Sequence, residues 1–158
     1  MAFLLSFLLG FVDGLRSMTA PAIVCWAARL GWLHFAGTKF AFIDHWSTLA
    51  VFTLLAIVEL VLDKLPNTPS RTAPVGLIAR IVMGGASGLA LAVGVGISAP
   101  LAGMLASIGA VGGAIAGAFA GYHVRHAAVS RMRLPDIVVA LAEDAIAIAG
   151  GILIVSRI

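Results

Sequence analysis

Long apolar runs separated by short polar stretches make up this chain. The apolar segments cover residues 2–15, 19–33, 47–65, 75–95, 99–124 and 135–156. Runs of this kind predict membrane helices, because the strands of a membrane barrel alternate apolar and polar positions. The pattern therefore predicts an all-α integral membrane protein with five to six transmembrane or half-membrane helices.

The first two segments are short for membrane helices. Residues 2–15 would rise about 21 Å as a helix, whereas the hydrocarbon core is ~30 Å thick. A break follows at residues 14–21, where Thr19 is expected to cap a new helix with Pro21 in its first turn. We expect residues 2–33 to form either a hairpin of two short helices or one long span broken near residues 16–20.

The composition supports a membrane protein. The chain is 61% hydrophobic and 11% charged, whereas soluble domains are roughly 45–50% apolar and about 25% charged. No polar stretch is long enough for a soluble domain, so residues 1–158 are expected to form a single membrane domain. The bilayer is the expected partner, and no basic platform predicts nucleic-acid binding. The single cysteine, Cys25, excludes an internal disulfide.

Two similar sets of landmarks indicate an internal repeat. TAP at residues 19–21 and SAP at residues 98–100 each open a helix, and each is followed downstream by an apolar helix that carries acidic residues. The predicted halves are residues 1–66 and 74–158, joined by a proline-rich linker at 66–74. Three segments per half is an odd number, so the halves must have opposite orientations. The sequence thus predicts a 3+3 inverted repeat, an architecture of many secondary transporters.

Basic residues concentrate around residues 64–80 and 125–133, which predicts that both linkers are cytoplasmic. The acidic helices 47–65 and 135–156 are then antiparallel. In the six-segment arrangement both termini lie outside and Arg16 lies at a cytoplasmic turn. If residues 2–33 are one span, the N-terminus lies inside instead.

The acidic residues inside the apolar helices are the main candidates for function. A charge at membrane depth costs at least ~2.5–3.5 kcal/mol, so its repeated occurrence points to a use. We expect Glu59 and Glu143 to face each other across a pseudo-two-fold axis and to bind a cation or a proton. The candidate ion- or substrate-binding residues are Glu59, Glu143, Asp144, Asp13, Arg16, Arg80 and Asp63.

Several of these residues also have purely structural interpretations. Asp13 and Arg16 are three residues apart and can form an ion pair at the helix break. Asp63 can form a solvated ion pair with Lys64. Arg80 can extend to the inner interface or pair with one of the buried carboxylates.

The remaining polar residues give weaker signals. Asp136 is expected to interact with the N-terminus of its helix. His123 and His126 have a spacing that permits a metal site, but a solvated cytoplasmic loop is the competing interpretation, so any metal remains unknown. His34 and His45 are expected in a loop, and no cofactor is expected.

Four glycines spaced by four residues form a ladder in the fifth segment: Gly109, Gly113, Gly117 and Gly121. Such a ladder lets another helix approach closely. The spacing leaves open whether that helix belongs to the same chain or to a second subunit of a homodimer.

Five motifs together resemble a family of small bacterial membrane proteins that is catalogued as a domain of unknown function. They are GLR at 14–16, TAP at 19–21, AARLGW at 27–32, ELVLDKLPNTPSR at 59–71 and GYHVR at 121–125. The resemblance covers nearly the whole chain. It implies a multi-pass protein of the bacterial inner membrane, but it implies no activity.

Three functions are compatible with these features. The first is a small secondary transporter or channel for a cation or small polar solute, with the intramembrane carboxylates binding the cation or a proton. The second is a non-transporting scaffold that assembles through the glycine ladder. The third is a membrane-embedded lipid-modifying enzyme, which is not expected because no nucleophile or metal motif is present.

Overall fold

The computed structural model describes residues 2–65 and 72–158, and this part of the chain contains six α-helices and no strand. The helices are α1 (Ala2–Leu15), α2 (Thr19–Arg29), α3 (Trp46–Leu62), α4 (Pro74–Gly94), α5 (Pro100–Ser130) and α6 (Asp136–Val155), with a 3-10 helix at Ala41–Asp44. Most of the predicted boundaries lie within a few residues of these. Residues 66–71 of the predicted linker lie outside the described residues.

Three helices, α4, α5 and α6, are long and apolar enough to cross a membrane, and α1 and α3 are shorter apolar helices. Large apolar side chains such as Leu54, Val61 and Ile146 are exposed on them. An apolar surface of this kind needs a cover, which a bilayer supplies. Length, composition and surface together indicate a membrane protein.

Helix α1 lies between α4 and α5 and packs very closely on α5. Gly10 and Gly14 face the backbone of Ala110 and Ala114, with no room for a Cβ atom. Three glycines of the ladder on α5 also meet α1: Gly109 faces Phe3, Gly113 faces Phe7 and Gly117 faces Phe11. These three glycines therefore pack against a helix of the same chain.

Residues 2–33 form a hairpin. The Ser6 hydroxyl donates to Gly88 O (3.4 Å), so α1 begins near the end of α4. Helix α1 ends beside the start of α4. The chain then turns, because the backbone N–H of His34 donates to the carbonyl oxygen of Gly94 at the last residue of α4 (2.9 Å). The alternative of one broken span is thereby excluded.

The helices that follow continue to alternate in direction. Trp26 of α2 donates from Nε1 to Thr53 Oγ1 (3.1 Å), in the middle of α3. Ile23 of α2 packs near Gly151, so α6 runs beside α2. The start of α2 contacts Glu59 near the end of α3, so α2 and α3 are antiparallel, whereas Arg16 and Ile23 contact successively later residues of α6, Asp144 and Gly151, so α2 and α6 are parallel. The acidic helices α3 and α6 are therefore antiparallel, as predicted, and the start of α1 and the end of α6 lie at the same end of the bundle.

We expect Gly113→Ala to lower the free energy of unfolding by about 1–3 kcal/mol, because its methyl group would overlap the Phe7 carbonyl. Gly112 is the matched control, since a Cβ there meets nothing within 4 Å. Gly112→Ala should be neutral or stabilising by roughly 0.5–1 kcal/mol. Thermal melting of the purified proteins in detergent measures both effects, and equal melting temperatures would contradict the packing described here.

Candidate functional site: a buried charge cluster

Arg16 lies at the break between α1 and α2, and its side chain is completely buried. It forms ion pairs with Asp63 of α3 and with Asp144 of α6, the latter at 2.6 Å. Glu143 Oε2 lies 3.6 Å from the same guanidinium. A buried guanidinium needs such partners, because the removal of a charge from water costs several kcal/mol. Only well-placed opposite charges and hydrogen bonds offset this cost.

Glu59 of α3 binds the start of α2. Its Oε1 accepts hydrogen bonds from the backbone N–H (2.8 Å) and hydroxyl (2.7 Å) of Ser17, and its Oε2 accepts one from the N–H of Met18 (2.8 Å). A carboxylate is favourable at this position because the N–H groups that begin a helix lack partners within it. The predicted cap at Thr19 is wrong, since Thr19 is the first helical residue and Met18 stands at the cap position.

Arg80 of α4 is buried and points into the protein. Its Nε donates to Gly14 O (3.1 Å) and its Nη1 donates to Gly76 O (3.0 Å). Its Nη2 lies 3.9 Å from Glu59 Oε1. Of the two interpretations of Arg80 from the sequence, pairing with a buried carboxylate is therefore confirmed.

Two further cations of the same group are less buried than Arg16. Lys64 Nζ pairs with Asp144 Oδ2 at 2.6 Å. Arg125 of α5 pairs with Asp136 at 2.7 Å and with Asp63 at 3.2 Å. The predicted Asp63–Lys64 pair is wrong, because each residue reaches across to a different helix.

We call these nine residues the charge cluster: Arg16, Glu59, Asp63, Lys64, Arg80, Arg125, Asp136, Glu143 and Asp144. They come from the α1–α2 turn, α3 and the residues just after it, α4, α5 and α6. Among the predicted site residues, the structure brings together all except Asp13. Glu59 and Glu143 both belong to the cluster, but they contact different groups. Glu59 contacts the start of α2 and Arg80, whereas Glu143 lies next to Arg16.

Asp13 lies apart in the contact between α1 and α4, and it is completely buried. The Ser87 hydroxyl is beside it, but neither group is placed for a hydrogen bond of normal geometry. The predicted Asp13–Arg16 pair is wrong, because Arg16 points to α3 and α6. Asp13 is thus a carboxyl group in the protein interior that interacts with the charge of Arg80 without forming an ion pair with it.

The predicted loop at His123 and His126 is wrong, whereas His34 and His45 lie between helices as expected. Helix α5 continues to Ser130, so His123 and His126 lie on a helix, and both rings contact Tyr122. Within residues 2–65 and 72–158, no three His, Cys, Asp or Glu side chains are grouped so that they could hold a metal ion.

Sequence reasoning missed the role of Arg125 and Lys64, which it assigned to the cytoplasmic linkers. A signal for Arg125 was present. Arg125 follows Gly121 by four residues and so continues the spacing of the glycine ladder. Because residues four apart share a helix face, this spacing places Arg125 on the side of α5 that packs against α1.

Over residues 3–156 the chain matches the model of the family described as Domain of unknown function (DUF4126), and it belongs to that family. The family resemblance seen in the sequence motifs is thereby confirmed. No curated protein and no solved structure matches the chain. Function therefore has to be argued from the charge cluster itself.

We expect Arg16→Gln to lower the free energy of unfolding by about 3–5 kcal/mol, because it removes the fully buried cation that Asp63, Glu143 and Asp144 share. Arg29 is the matched control, since its side chain is 40% exposed and its ion pair with Asp44 is long, at 3.9 Å. Arg29→Gln should cost no more than ~1 kcal/mol.

Thermal melting in detergent checks the comparison. Adding Asp63→Asn to Arg16→Gln removes one of the stranded carboxylates and should restore part of the loss. Similar melting temperatures for Arg16→Gln and Arg29→Gln would show that the cluster does not hold the helices together.

Proposed function

We propose that this protein is a small secondary transporter of the bacterial inner membrane, which moves a cation through exchange at the charge cluster. One observation carries the proposal. A fully buried arginine at the junction of two short helices is bound by carboxylates from two further helices. Groups of this type inside a membrane protein commonly mark ion pathways.

The short helices support this proposal. Helix α2 has 11 residues and would rise only about 16 Å, roughly half the hydrocarbon core. In many transporters, the ends of such discontinuous helices form the ion and substrate sites near the middle of the membrane. Here the start of α2 is occupied by Glu59, a carboxylate that a cation or proton can compete for.

The helix order is consistent with an inverted repeat of α1–α3 and α4–α6. In the proposed cycle these halves move relative to each other, and the charge cluster between them opens to one side of the membrane at a time. Antiparallel α3 and α6 would be the equivalent helices of the two halves. Helix α3 and the residue just after it bring two carboxylates to the cluster, Glu59 and Asp63, and α6 brings three, Asp136, Glu143 and Asp144.

The attachment of α3 suggests how binding is coupled to movement. The inner end of α3 is held by the contacts of Glu59 with α2, of Asp63 with Arg16 and of Lys64 with Asp144. A cation or proton that takes over one of these carboxylates weakens the attachment. Binding then favours a second position of α3, since a ligand shifts a conformational equilibrium by its difference in affinity for the two states.

Assembly through the glycine ladder is less well supported as an alternative. Gly109, Gly113 and Gly117 are already occupied by α1 of the same chain. A scaffold would have to use another surface.

Currents from proteoliposomes on a solid-supported membrane test the proposal. Wild-type protein should give a current after a jump in at least one of H⁺, Na⁺, K⁺ or methylammonium, above that of empty liposomes. Glu59→Gln and Glu143→Gln should reduce the current at a given concentration about tenfold, equivalent to ~1.4 kcal/mol of lost binding.

Asp44→Asn is the control, because Asp44 is exposed and lies outside the cluster, next to Arg29. It should leave the current unchanged. The proposal fails if wild-type protein gives no current above empty liposomes with any of the four cations. It also fails if both glutamine variants fold normally and conduct as well as wild type.

A further inference from the structure

An apolar crevice of about 410 Å³ lies between α2, α3 and α6. Its volume is within the range of about 300–1,000 Å³ that is usual for small-molecule sites. The back wall is formed by small residues of α2 and α3, including Ala22, Ala27 and Ala56, which are all buried. These alanines leave a gap where larger side chains would let the three helices meet.

The crevice opens sideways, toward the region that lipid would occupy. Its rim includes Ile57, Ile148 and Ile152, which are 53%, 38% and 45% exposed. Protein and lipid interiors are densely packed, and an empty gap loses the dispersion contacts of the atoms around it. Hydrocarbon is therefore the natural occupant of this space.

One end of the crevice lies next to the charge cluster along the chain, although no residue of the cluster lines it. Leu60 and Thr19 line this end, next to Glu59 and close to the break at Arg16. The Thr19 hydroxyl is buried and has no hydrogen-bond partner in residues 2–65 and 72–158. An unsatisfied polar atom at the end of an apolar crevice is a place for a polar group of a ligand.

One ion pair lies just beyond this end, because Lys64 follows Leu60 by four residues and Asp144 precedes Ile148 by four. Lys64 Nζ donates to Leu60 O at 2.7 Å and to Asp144 Oδ2 at 2.6 Å. The Lys64 side chain is 22% exposed, whereas that of Arg16 on the other oxygen of Asp144 is completely buried. The Lys64 ammonium is thus the partner of Asp144 that can leave most easily.

We propose that the crevice binds a single-chain amphiphile with a primary ammonium head. This amphiphile is the substrate class of the transporter proposed above, and the inference rests on that proposal. The hydrocarbon tail fills the crevice, and the head replaces the Lys64 ammonium on Asp144. The Thr19 hydroxyl accepts a further hydrogen bond from the head. A carboxylate head could not replace the Lys64 ammonium, because it would face the like charge of Asp144.

Photolabelling of the full chain in liposomes tests this inference without any ion gradient. The probes are dodecylamine, dodecanoic acid and dodecanol, each with a diazirine at the same carbon of the tail. Labelling of the exposed helix surfaces should rise in proportion to the amount of probe. Labelling of Ile57 and Ile152 by the amine should saturate. Its half-saturation should occur at a probe concentration about tenfold lower than any half-saturation seen with the acid.

Two substitutions of α3 separate the crevice from the outer surface. Ala56→Trp fills the crevice and should abolish the saturable labelling. Ala50→Trp is the control, because Ala50 is exposed on the same helix and, six residues away, on a different face. It should leave the labelling as in wild type.

Substitution of Lys64 tests the position of the head. Lys64→Met removes the competing ammonium and should lower the amine concentration for half-saturation several-fold, an effect that loss of folding cannot produce. Lys39→Met, at an exposed lysine in the loop before α3, is the control and should have no effect. Thr19→Val should raise the amine concentration for half-saturation.

The inference is overturned by labelling that never saturates, by saturable labelling that survives Ala56→Trp, or by equal half-saturation for the amine and the acid. These outcomes are distinct from failure of the proposed function. Saturable amine labelling without any cation current keeps the binding site and removes the transporter. Cation currents without saturable labelling keep the transporter and remove this substrate class.

Discussion

The buried guanidinium of Arg16 is the constraint on which one end of the bundle depends. A charge in this position is tolerable only with carboxylates around it, and none of its ion-pair partners comes from its own hairpin. Asp63 arrives from α3, and Glu143 and Asp144 arrive from α6. Satisfying one arginine therefore fixes the relative positions of three parts of the chain that are distant in sequence.

Close packing of small residues is what brings Arg16 to this place. Gly10 and Gly14 let α1 lie directly against the alanines of α5, so the turn after α1 is carried into the interior. The same face of α5 ends in Arg125, which pairs with Asp63. The glycine ladder thus holds α5 against α1, and Arg125 joins the end of α5 to Asp63 and Asp136.

The apolar pattern was sufficient to predict the helices, because membrane helices are defined by length and composition along the chain. The hairpin of α1 and α2 was one of two options that the sequence left open, since the direction of the chain after a break depends on what the second helix packs against. The side of the membrane on which each end lies stays a prediction from charge bias.

The charge partners were harder to predict, because sequence spacing identifies only local pairs. Asp13 with Arg16, and Asp63 with Lys64, were reasonable on that basis. Neither pair forms, because Arg16, Asp63 and Lys64 pair with residues from other parts of the chain. A side chain at a helix end or break points out of its own helix and toward its neighbours. Glu59 is a further example. It caps α2 from another helix, and no local capping signal indicates that.

The two cations on Asp144 show how one cluster can serve both stability and exchange. Arg16 is completely buried and shared among several carboxylates, so replacing it would strand charges inside the protein. Lys64 is partly exposed, is attached to the end of a helix with an apolar crevice along one side, and has one ion-pair partner in the described part of the chain, Asp144. In the proposed mechanism, a cation that arrives from the crevice takes the place of Lys64 and leaves Arg16 in its position. The permanent charge then keeps the bundle assembled while the exchangeable one is free to respond to a ligand.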